Sequence, residues 1–160
     1  MVKIITKEEI YSVQEEWAEG MAQIGEAWSN ANDYVQVATD FIHKFYGYDL
    51  ENHQVLFKPT RAAVIQFRST FAGALSYFVG GNLEFPEDAG FALEPWSFVE
   101  LVNHDILLHG DIALAMGKKF CTAKSGNLIE AEFSLGYVRS GAGDLKIVLH
   151  HSSLPFKPNK

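Results

Sequence analysis

Cysteine is nearly absent: the 160-residue chain carries one, Cys121. A single thiol closes no intramolecular disulfide and excludes a zinc site built on several cysteines. No run of about 18 apolar residues occurs, so no segment is expected to span a membrane. Basic residues are the minority, 13 Lys and Arg against 20 Asp and Glu, for a formal net charge of −7. A surface of that sign repels phosphate backbones, so nucleic acid is not an expected partner. The opening MVKIITKEEI has no long apolar stretch and turns acidic at once. No secretory signal is therefore read there, and a cytoplasmic location is expected. His-Glu-x-x-His, Cys-x-x-Cys and Gly-x-Ser-x-Gly are all missing, and no internal repeat is visible.

What is present is an apolar fraction of 48%, with 12 Phe, 6 Tyr and 3 Trp. That suits a single domain over residues 1–160 with a ring-lined interior. The first half reads as helix. Thr6 and Glu9 have the spacing of a capping box. Behind them Ile10, Val13, Trp17, Met21, Ile24 and Trp28 recur every three or four residues, one stripe that Gly20 and Gly25 weaken without breaking. After Asn30–Asp33, Tyr34, Val37, Phe41 and Phe45 mark a second amphipathic helix that Gly47 can stop. Val55–Phe57 is a short strand. Phe71, Ala74, Leu75 and Phe78 share a face of a third helix, which starts near Ser69 or Thr70 and closes at Gly80-Gly81. Asn82–Pro95 is loop-like, a candidate lid or edge.

From Trp96 onward the period falls to two. Gly110-Asp111, Ser125-Gly126 and Gly141–Asp144 divide the remainder into four strands, an antiparallel meander. Ile129, Ala131, Phe133, Leu135 and Tyr137 alternate with polar residues along one of them. Helices followed by an antiparallel sheet make the fold class α+β.

The last strand ends in His150-His151-Ser152-Ser153. If Leu145, Ile147 and Leu149 face the core, a regular pleat sends His151 and Ser153 inward and His150 and Ser152 outward. A bulge would swap the pairs. An apolar face ending in imidazole and hydroxyl suits a pocket floor, although such residues also cap strand ends through backbone hydrogen bonds. The histidines, His43, His53, His104, His109, His150 and His151, show no ligand spacing, so no metal site is read. Lys118-Lys119 is read as a basic pair on an exposed edge.

Phe57-Lys58-Pro59-Thr60, Gly73–Gly81 (GALSYFVGG), Asp88–Leu93 (DAGFAL) and the closing His150–Phe156 (HHSSLPF) together resemble the iota-class carbonic anhydrases. The resemblance implies an NTF2-like cone, a homodimer, and reversible hydration of carbon dioxide to bicarbonate. Some members of that class are manganese-dependent and others work without metal; the weak metal signal here agrees with the second kind, so no cofactor is expected. Carried over residue by residue, the resemblance implies a site of Thr60, Tyr77 and a histidine and serine two apart on the last strand, which pleat parity makes His151 and Ser153. From the chemistry of these groups His151 is the expected base, with three hydroxyls positioning water and anion. The dimer is expected through the outward sheet face, which includes Val138 and Val148. Two rivals share the fold: small-molecule isomerases or hydratases, which usually keep an Asp or Glu base in the cone, and non-catalytic association modules.

Overall fold

The capping box forms as read. In the computed structural model, which describes residues 3–51 and 54–159, the Glu9 amide donates to Thr6 Oγ1 at 3.2 Å and the Thr6 amide to the Glu9 carboxylate at 3.1 Å. They open α1 (Lys7–Ser29). Its stripe buries Ile10, Trp17, Met21 and Ile24, whereas Trp28, in the last turn, stays 45% exposed and is not part of the core. Asp33 caps α2 (Tyr34–Phe45), which buries Ala38, Phe41, Ile42 and Phe45. A Cβ on Gly20 would lie 2.7 Å from the Phe41 ring. The glycine that weakens the helix locally is therefore what lets α1 and α2 approach closely. His53, and the first two residues of the opening stretch, lie outside the described residues.

β1 (Leu56–Lys58) falls one residue later than expected, and α3 (Phe71–Val79) is capped by Thr70 and closed at Gly80 with a φ of 68°. Residues 82–95 do not form a lid. Phe91 and Ala92 are buried in a single 3-10 turn, and Phe91 stacks on Tyr77 with ring centroids 5.5 Å apart, so this stretch is a wall of the interior.

β2 (Trp96–His109), β3 (Ile112–Ala123), β4 (Leu128–Arg139) and β5 (Leu145–Ser153) form the expected meander, and β1 adds to it in parallel beside β5, giving the order β1-β5-β4-β3-β2. Register shifts fall between Trp96 and Phe98, between Asn103 and Asp105, and between Gly136 and Tyr137. Extra residues at such places bend and twist a sheet. The helices pack on one face, where Phe133, Leu135 and Tyr137 of β4 join the core and Ala131 is buried beside them. The fold is α+β, as the chain pattern indicates.

Candidate active site

The position of the site is set by a shift in β5. Gly136 pairs with Leu149 but Tyr137 pairs with Ile147, so Val148 is an extra residue with no partner of its own. Leu145 and Ile147 still face inward. Beyond the bulge the parity is reversed. Leu149 turns to the outer face, where it lines a groove with Leu107, Leu114 and Met116. His150 and Ser152 are buried, at 4% and 0% exposure, while His151 is exposed and Ser153 only half-buried. These two line an outer groove with His104, Lys118 and Ser134. The expectation that His151 and Ser153 point into the cone is corrected: both look away from it.

The other two expected residues do come together inside. The loop after β1 brings Thr60 Oγ1 to 2.7 Å from Ser152 Oγ, a hydrogen bond between two buried hydroxyls. Tyr77, on the buried face of α3, accepts from the Arg61 amide at 3.4 Å, and its hydroxyl also interacts with Thr60. Burial pushes the Tyr77 phenol well above its ordinary pKa, so it stays protonated and able to donate. Thr60, Tyr77 and Ser152 thus form one hydroxyl cluster.

His150 is wedged among rings. Phe57 stacks on it with centroids 4.9 Å apart, and Trp17 meets it edge-on at 6.0 Å. Its Nδ1 lies 2.8 Å from the Tyr46 hydroxyl, which itself accepts from Trp17 Nε1 at 3.3 Å. Burial raises the Tyr46 phenol's pKa, so its proton is in place to be donated to Nδ1. With Tyr46 as donor the ring hydrogen sits on Nε2, and with Tyr46 as acceptor it sits on Nδ1. Desolvation, with smaller contributions from Lys119 and His151, holds His150 well below the usual imidazole range, so the ring is neutral.

One polar residue was missed by reading the sequence. Lys119 is not on an exposed edge: it is 4% exposed on the inner face of β3, and its Nζ donates to Thr60 Oγ1 at 3.5 Å. Lys118 is the exposed member of the pair and binds Glu130 at 2.8 Å. Alternation held the signal, since Ala113, Ala115, Lys119, Cys121 and Ala123 share one parity and all are buried.

The loop that carries Thr60 is fixed from beneath. Arg68, fully buried, donates to both oxygens of Asp88 at 2.6 and 2.7 Å, to Gly73 O at 3.0 Å and to Ile65 O at 2.8 Å. Ser76 also donates to Asp88, at 2.6 Å. The carboxylate and guanidinium together tie the loop between β1 and α3 to the helix that bears Tyr77.

Among the described residues no group of three His, Cys, Asp or Glu could hold a metal ion. None of their helices is long and apolar enough to cross a membrane.

The family model for metal-independent carbonic anhydrase matches residues 8–154. A metal-independent carbonic anhydrase from a Nostoc species is 37% identical over 158 residues, 97% of this chain and 76% of that protein. The crystal structure of a cyanobacterial iota-carbonic anhydrase complexed with bicarbonate superposes with a TM-score of 0.92 at 37% identity, covering 97% of this chain and 95% of that one. An NTF2-like family structure from Streptomyces avermitilis, 12% identical, matches with a TM-score of 0.58 over 94% of this chain and 96% of that one, a likeness of fold alone.

Proposed function

The chain belongs to the metal-independent carbonic anhydrases, enzymes of reversible carbon dioxide hydration, and we propose that in it the reaction runs at Thr60, Tyr77, His150 and Ser152. The observation that carries this assignment is the Thr60–Ser152 hydroxyl pair, 2.7 Å apart and buried in a ring-lined interior. Hydroxyls held there orient a water against carbon dioxide and donate hydrogen bonds to the oxygens that gain charge. His150, neutral and with its proton on Nε2 when Tyr46 donates to Nδ1, acts as a further donor rather than as the base. Phe57, Phe91 and Phe133 supply apolar walls that admit an uncharged gas. That the cyanobacterial relative is complexed with bicarbonate supports an anion as a ligand of this chain.

Carbon dioxide hydration followed by stopped flow on chelator-treated protein tests the assignment, and turnover is expected to be unchanged by chelation. Loss of activity that one divalent ion restores would overturn the metal-free reaction. A proton-abstracting isomerase is disfavoured because the buried polar residues among those described include no carboxylate. Asp88 has its oxygens engaged by Arg68 and Ser76, and Glu94 is joined to Arg61.

The working form is a homodimer through the outer sheet face. Phe98, Val102, Leu107, Ile112, Leu114 and Met116 are 42–60% exposed there. Exposed apolar side chains grouped on one face mark a contact surface. Light scattering is expected to give twice the 17.9 kDa of one chain, and Leu114→Glu to give a monomer. A monomeric wild type at micromolar concentration would exclude the dimer.

A further inference from the structure

Lys119 is a buried amine that no acid among the described residues balances. Among the described residues it makes no ion pair. Its Nζ stands 5.0 Å from the centroid of the Phe91 ring and 5.5 Å from that of Trp17. Ring faces compensate a desolvated cation only in part. The charged and titratable groups around it offer no better partner. Arg61, in the loop after β1, has the same sign and is joined to Glu94 at 3.2 Å. Cys121, two residues along β3, has its thiol pushed up by burial, and Tyr77 on α3 is likewise kept protonated. His150 on β5 is neutral. From α1, Trp17 Nε1 is taken up by the Tyr46 hydroxyl and Gln14 pairs with Asn103 of β2.

The missing charge is an anion at the hydroxyl it already touches. We propose that Lys119 is the counter-charge of the bicarbonate held at Thr60 and Ser152, and that it takes up a proton as that anion forms. The proposal rests on the carbonic anhydrase assignment above. In the hydration direction a water oxygen bonds to the carbon of carbon dioxide. The proton it releases passes along the Ser152 and Thr60 hydroxyls, 2.7 Å apart, and on to Nζ 3.5 Å further. Carbon dioxide, water and a neutral amine become bicarbonate and an ammonium, so atoms and charge balance. When bicarbonate leaves, the ammonium gives its proton to solvent or buffer. Burial makes the empty-site amine a weaker base than a free lysine, chiefly by desolvation, and an adjacent anion reverses that effect. Linkage then requires bicarbonate binding and proton uptake to favour each other equally.

Isothermal titration of bicarbonate into the full chain, in buffers of different ionisation enthalpy, reads the protons taken up per anion bound. Uptake by the wild type is expected to rise with pH, from neutrality up to the ordinary lysine range, as the empty-site amine loses its proton below the pH at which a free lysine would. Lys119→Met, which fills a similar volume without the charge, is expected to bind bicarbonate at least about ten-fold more weakly with no proton uptake, and to melt no lower than wild type. Wild-type binding without proton uptake across that range would overturn the proposal. So would a Lys119→Met protein that binds bicarbonate as tightly as the wild type, whether or not it melts lower. Hydration measured on the same wild-type sample separates the two claims. Turnover without proton uptake removes the role of Lys119 and spares the reaction, whereas neither turnover nor bicarbonate binding removes both.

Discussion

Ser152→Ala is expected to lower carbon dioxide turnover by about 10²–10³, the usual loss when one positioned donor to a developing anion is removed. Ser153→Ala is expected to leave turnover near the wild-type value. The contrast follows from β5: Ser152 is fully buried against Thr60, whereas Ser153 sits opposite Glu132 on the outer face. His150→Phe keeps the ring between Phe57 and Trp17 but removes both nitrogens. It is expected to lose at least about ten-fold in turnover, while His151→Ala does not. Circular dichroism should show the wild-type fold in all four, because Thr60 retains Lys119 as a partner when the Ser152 hydroxyl is gone. An essential Ser153 with a silent Ser152 would mean that β5 lies in the regular register and that the cluster is assigned one residue off.

Arg68→Ala is expected to destabilise the protein by about 3–5 kcal/mol, because it strands the Asp88 carboxylate without its cation. For a domain of this size that corresponds to a fall in melting temperature of roughly 10 °C or more. Four hydrogen bonds from the Arg68 side chain are lost at once, to Ile65, Gly73 and both Asp88 oxygens. Replacing the acid as well, in an Arg68→Met/Asp88→Leu protein, should recover part of the loss, since a buried pair exchanged for apolar residues leaves no uncompensated charge. Turnover should not recover with it. The loop between β1 and α3 would then be folded but no longer tied, and Thr60 would not be held against Ser152. Calorimetry and the hydration assay on the single and double variants check both halves. A double variant with full activity would show that the pair stabilises the fold without placing Thr60.

The helices could be read from the chain because their apolar spacing and caps are local. Thr6 and Glu9 are three residues apart, and Asp33 and Thr70 likewise cap amides three positions on. The strands could be read because the turns carry glycine, and Gly110, Gly126 and Gly143 all adopt positive φ. Inner and outer faces were harder. Along β3 the larger apolar residues, Ile112, Leu114 and Met116, are on the outside, and the inner positions hold small residues and Lys119. Hydrophobicity therefore points to the wrong face there, and Lys119 looks like a surface residue. In β5 Ile147, Val148 and Leu149 are three aliphatics in succession, so no polar residue marks where the alternation breaks. The Arg68–Asp88 pair joins groups 20 residues apart, and nothing in composition or period selects either partner.

Val148 has one more consequence. It stands outside the pairing of β4 with β5, and a Cβ placed on Gly47 would come 3.2 Å from its side chain. Count β5 without it, and Leu145, Ile147, His150 and Ser152 fall on one side of an unbroken pleat, with Lys146, Leu149 and His151 on the other. Every side chain keeps the facing it has now. The strand is thus one residue longer than its two faces require. A homologue lacking this valine would present the same chemistry on a straighter strand, and an alignment run without a gap from Leu145 would match its working histidine to Leu149.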